Sequence, residues 1–97
     1  MERAVAMDLE NQIHLCHVAL QHGESYNFRV NQEMIDSTLF ESWILELFTT
    51  YKPSVLHEQL KFIVPKDERI KHRLDCYLRT ASLKYLLSQA RSNNSYN

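Results

Sequence analysis

Residues 38–53, Thr-Leu-Phe-Glu-Ser-Trp-Ile-Leu-Glu-Leu-Phe-Thr-Thr-Tyr-Lys-Pro, decide what kind of fold this chain adopts. Leu39-Phe40, Trp43-Ile44, Leu47-Phe48 and Tyr51 recur as pairs one helical turn apart, a doubled stripe covering about half of a helix circumference. Thr38 and Glu41 stand at capping-box spacing, so the stretch predicts a helix that starts at Thr38. Lys52-Pro53 ends it, because proline disfavours helical backbone in the residue before it. A helix this apolar needs neighbours on most of its surface, and Trp43 alone can bury on the order of 200 Å². The spacing therefore places this helix at the centre of the core.

Helices are expected around it. Gly23, Pro53 and Pro65 are the only strong breakers in 97 residues, and a β-rich fold of this size needs more glycine turns. Ala6, Leu9, Ile13, Cys16 and Leu20 form one stripe, which predicts a first helix over about residues 2–22 closed by Gly23. Ser54 is positioned to cap a short helix through about Phe62. Pro65, with Asp67 and Glu68 behind it, is suited to open a last helix running to about Ser92. Tyr26, Phe28 and Val30 alternate with polar residues, as do Leu60, Phe62 and Val64 with theirs. The expected architecture is an all-α bundle of about four helices, with a short two-stranded β-ribbon pairing residues 26–30 with 60–64. Residues 1–92 read as one domain and residues 93–97 as a frayed polar tail.

Charge is divided along the chain. Residues 1–51 hold eight Asp/Glu against Arg3 and Arg29, a net of −6. Residues 52–97 hold nine Lys/Arg against four Asp/Glu, a net of +5. Each half attracts the opposite charge, so the division concerns partners rather than fold.

The last helix carries more apolar residues than one face can hold. Ile70, Leu74, Tyr77, Leu78, Ala81 and Tyr85 make one face, and Cys76, Leu83, Leu86, Leu87 and Ala90 make another nearly opposite. Three arrangements account for this: a central helix with neighbours on both sides, a helix broken near residues 80–82, or a face that meets another chain. Leu83, Leu86, Leu87 and Ala90 are the candidate contacts to a partner, with Lys84 and Arg91 at the rim. Between the faces runs a basic stripe. Its members Lys66, Arg69 and Arg73 are candidate contacts to phosphate or to an acidic partner. Glu33, Asp36, Glu41 and Glu46 are candidate contacts to a basic partner, in which spaced carboxylates would stand in for nucleic-acid phosphates. Solvation alone also accounts for either set of charges.

Catalytic chemistry finds no support in the motifs. His57-Glu58 begins like a zincin helix, but Lys61 occupies the position of the second histidine. Cys16 and His17 are adjacent, and neighbours on a helix diverge by about 100°. No glycine-rich phosphate loop exists. The His14/His17 and His72/Cys76 pairs have helix spacings from which a zinc site could be assembled, yet Cys16 and Cys76 both lie on apolar stripes and no supporting shell is evident. The expectation is therefore no metal, no cofactor and no enzyme. With Asp8 following only four apolar residues after Arg3, no secretory signal is expected, and two isolated cysteines point to a reducing, cytoplasmic setting. The functional expectation is a small adaptor, regulator or inhibitor that binds protein, as a homodimer, away from membranes. The alternatives are an inhibitor of a nucleic-acid-handling complex and a nucleic-acid-binding module using the basic stripe.

Overall fold

The computed structural model describes the backbone of residues 2–94 and the side chains of residues 8–92. The side chain of Ala6, on the expected first stripe, and residues 95–97 of the expected tail therefore lie outside what is described.

The chain is mostly helical, with one small sheet. Helix α1 spans Glu2–Gln21, strand β1 Tyr26–Arg29, helix α2 Gln32–Ile35, helix α3 Thr38–Thr50, helix α4 Pro53–Gln59, strand β2 Leu60–Ile63 and helix α5 Glu68–Asn94.

Gly23 closes α1 as its sequence position implies. Its φ is +71°, its N–H donates to Leu20 O, and Glu24 N–H reaches back to Ala19 O at 2.8 Å. Those two bonds make a Schellman cap, in which a left-handed residue lets the chain satisfy the last helical carbonyls. The short helix α2 is capped by Asn31, whose Oδ1 accepts from Met34 N at 2.8 Å.

Three helix starts differ from the sequence expectation. Ser37, not Thr38, caps α3: its Oγ accepts from Leu39 N, and its carbonyl accepts from Glu41 N. Thr38 is thus the first helical residue. Helix α4 begins on Pro53 itself, and Lys52 provides no side-chain cap. Ser54 therefore lies inside the helix; proline suits the first helical position because its missing N–H would have had no partner there. Helix α5 begins at Glu68 rather than Pro65. Asp67 is its cap, accepting from Arg69 N through Oδ1 at 2.9 Å and from Lys71 N through its carbonyl. At the other end α5 continues past Ser92 to Asn94.

The ribbon is present and its strands are parallel, with Tyr26 opposite Leu60 and Phe28 opposite Phe62. Helix α4 stops at Gln59, so Leu60–Ile63 are strand and not the end of that helix. Parallel pairing needs a long crossover, which α2, α3 and α4 supply. On the outer side of β1, the Gln12 amide takes the place of a third strand. Its Oε1 accepts from Arg29 N at 2.8 Å and its Nε2 donates to Arg29 O at 2.9 Å.

The core lies where α3 meets the inner face of the sheet. Phe28, Phe40, Ile44 and Leu47 are fully buried, and Trp43 nearly so. Phe28 stacks on Trp43 with ring centroids 4.6 Å apart, and Phe62 and Phe40 meet the same cluster. Helix α5 adds Ile70, Leu74 and Ala81, all buried. Of its expected inner face, Tyr77, Leu78 and Tyr85 are only half-buried.

Candidate protein interface

Helix α5 is unbroken over 27 residues, a length of about 40 Å. Its first half packs on α2 and α3. Arg73 and Tyr77 fasten it there. The Arg73 guanidinium pairs with the Asp36 carboxylate and donates to Ile35 O at 3.1 Å, while Tyr77 Oη donates to the same carbonyl at 3.2 Å. This tie satisfies the end of α2 with side chains from α5. The hydrogen bond from Arg73 holds the Asp36 carboxyl below the usual aspartate range and raises the guanidinium in turn.

Beyond Ala81 the helix leaves the body. Leu83, Leu86 and Leu87 are 55%, 60% and 60% exposed, and Ala90 and Cys76 on the same side are exposed too. Neither a sandwiched helix nor a break near residue 80 holds: α5 is continuous, and its second apolar face is largely exposed among the described residues. Lys84 and Arg91 flank it, both exposed. At the root of this arm lies an apolar groove of about 340 Å³, lined mainly by Leu47, Phe48, Leu56, Leu60 and Leu78, with His57 and Ser82 its polar members.

The charged candidates separate into tied and free. Arg73 and Asp36, placed by sequence in two different contact sets, neutralise each other. Lys66 and Arg69 are exposed near the start of α5, and Glu33, Glu41 and Glu46 are exposed on the acidic half. Among the described residues, the Arg73–Asp36 pair is the only ion pair that joins the two halves; the other, Lys71–Glu68, lies within α5.

The residues considered for zinc do not converge. His17 Nε2 accepts from Trp43 Nε1–H at 3.2 Å, so its proton sits on Nδ1, which faces Tyr51 Oη at 3.2 Å. A neutral imidazole carries only one N–H, and indole can only donate. Both ring nitrogens are therefore committed, and His14, one turn before His17 on α1, is exposed. His72 Nε2 lies 3.7 Å from Cys76 Sγ. Among the described residues no group of three or more His, Cys, Asp or Glu is arranged to hold a metal ion. Cys16 is fully buried, and burial pushes its thiol up to about 11, so it behaves as a small hydrophobe. With His17 turned to Trp43 and Tyr51, the two do not form a thiolate–imidazole pair.

Sequence reasoning did not find the His17–Trp43–Tyr51 chain, because its members are 26 and 34 residues apart. It also did not find Gln12 at the edge of β1; glutamine on a helix carries no signal for such a contact.

No helix among the described residues is long and apolar enough to cross a membrane. No family model matches the sequence, and no curated protein or solved structure matches it either.

Proposed function

We propose that this chain is a non-enzymatic protein-binding module, an adaptor or regulator that works as a homodimer through the distal half of α5. The observation that carries the reading is the exposure of Leu83, Leu86 and Leu87 together on one helix face. Soluble monomers avoid contiguous apolar patches of this kind, and interfaces use them. Full burial of three leucines stabilises by several kcal/mol at about 25 cal/mol per Å². The helix is already formed in the single chain, so little ordering opposes docking. Lys84 and Arg91 at the rim supply orientation and choice of partner.

Two features weigh against the nucleic-acid readings. Arg73 is spent on Asp36, which shortens the basic stripe that would track a phosphate backbone. The same pair removes Asp36 from the carboxylates that would mimic phosphate.

The test is light scattering on wild type and on Leu83→Asp/Leu87→Asp. The wild type runs as a dimer, and the variant as a monomer with unchanged helix content by circular dichroism. A monomeric wild type at tens of micromolar refutes the homodimer. Collapse of helix content in the variant would mean that these leucines belong to the chain's own core.

A further inference from the structure

A second exposed apolar stripe lies on α1. Leu15 is 53% exposed and Val18 39%, on a face continued by Asp8, Asn11 and His22, all exposed. Spacings of three and four residues align these five on one side of the helix. The stripe from Asp8 to His22 is about 21 Å long, and that on α5 from Cys76 to Ala90 is the same length.

The charges around the two stripes are opposite. From Cys76 to the end of the chain there are Arg79, Lys84 and Arg91 and no carboxylate. Two such arms laid against each other would set like charges face to face, which opposes association. Helix α1 carries Asp8 and Glu10, and Glu24 follows its cap. These acids form no ion pair within the chain among the described residues. Among the described residues, the charge division is bridged inside one molecule by the Arg73–Asp36 pair alone.

We infer that the arm of α5 docks on the exposed face of α1 in a second copy, reciprocally, so that each chain gives one arm and receives one. This rests on the homodimer reading and names the surface it uses. An antiparallel alignment that opposes the helix dipoles, shifted four residues from end-to-end overlap of the stripes, sets Leu87 against Leu15 and Leu83 beside Val18. It also brings Arg91 level with Glu10 along the helix axes, to within one residue. Reciprocal docking buries two stripes per chain, where arm-to-arm pairing would bury one. A stable dimer covers roughly 800 Å² on each partner, which favours the arrangement that uses both stripes. Patch i on j and j on i also closes the assembly under a two-fold axis.

Sedimentation of the full chain tests this. Leu15→Asp/Val18→Asp abolishes the dimer while helix content stays unchanged. Glu10→Lys and Arg91→Glu each weaken it about tenfold at low salt, and the double reversal recovers to within about threefold of wild type. A dimer that survives Leu15→Asp/Val18→Asp but not Leu83→Asp/Leu87→Asp leaves the homodimer standing and removes α1 as the docking face. Rescue of Arg91→Glu by Glu24→Lys in place of Glu10→Lys overturns the antiparallel alignment. Species that grow without limit with concentration overturn the closed reciprocal dimer, and a monomeric wild type overturns the homodimer reading itself.

Discussion

Replacing His17 by phenylalanine tests the reading of the core most directly. Trp43 is 3% exposed, and its one polar atom is satisfied by His17 Nε2. Phenylalanine fills much of the same space but accepts nothing, so Trp43 Nε1–H is left buried without a partner. A stranded donor costs about 1–3 kcal/mol. Tyr51 Oη loses its contact too, but Tyr51 is only half-buried and water can replace it. His17 is itself half-buried, so the added apolar area of phenylalanine offsets little. With a urea m-value of about 1–2 kcal/mol per M, the unfolding midpoint should fall by about 1 M. Trp43 is the sole tryptophan, so its fluorescence reports both the transition and the loss of the hydrogen bond. His17→Gln is the control, since an amide can accept from the indole and donate to the phenol, and it should recover most of the stability. A His17→Phe protein with an unchanged midpoint would refute the argument that this imidazole supports the core through its acceptor.

Further outcomes follow from other parts of the fold. The two thiols should differ sharply: Cys76 is exposed in the single chain and should react with a disulfide reagent in the folded, monomeric Leu83→Asp/Leu87→Asp variant, whereas Cys16 should react only on unfolding. Burial keeps Cys16 neutral, so its contribution is complete below the ordinary thiol range and is lost as pH rises from there through about 11; Cys16→Ala should flatten that alkaline decline in thermal melts. The Asp36 carboxyl is held low by Arg73, so the α2–α5 tie is in place above the usual aspartate range and is lost as pH falls through the depressed value. Protection of the Ile35 and Asp36 amides against hydrogen exchange, taken relative to the intrinsic rate at each pH, should fall in acid, and Arg73→Gln should give the same loss of protection at neutral pH. Gly23→Ala should destabilise by about 1 kcal/mol in denaturant titration, because φ is +71° while no atom lies within 4 Å of the added methyl.

Helix α3 was legible because its paired apolar residues repeat over four turns, more than any strand could accommodate. The inner face of α5 was legible in the same way at Ile70, Leu74 and Ala81. Helix α2 was not, since four residues make one turn and one turn has no period. Its mark in the sequence is Asn31, a capping residue that equally suits a turn. The shifts at Ser37 and Asp67 arise where two capping residues or a proline compete within three positions; which one caps depends on packing beyond the local sequence. Excess apolar surface on α5 was evident from composition, but whether its own chain covered it was a matter of tertiary placement. The pairing of Arg73 with Asp36 was hidden for the same reason, being a contact across 37 residues between segments that read as separate charge clusters.

The parallel pairing of β1 with β2 has a consequence for how the molecule is made. An antiparallel hairpin could zip as soon as its turn was synthesised. Here Tyr26–Arg29 has no sheet partner until Leu60–Ile63 has left the ribosome, and loop closure over that distance slows assembly. During that interval Phe28 must find Trp43 and Phe40 before it finds Phe62. Nascent chains should therefore gain protease resistance only after residue 63 and the core-packing half of α5 have emerged, rather than in steps as each helix appears.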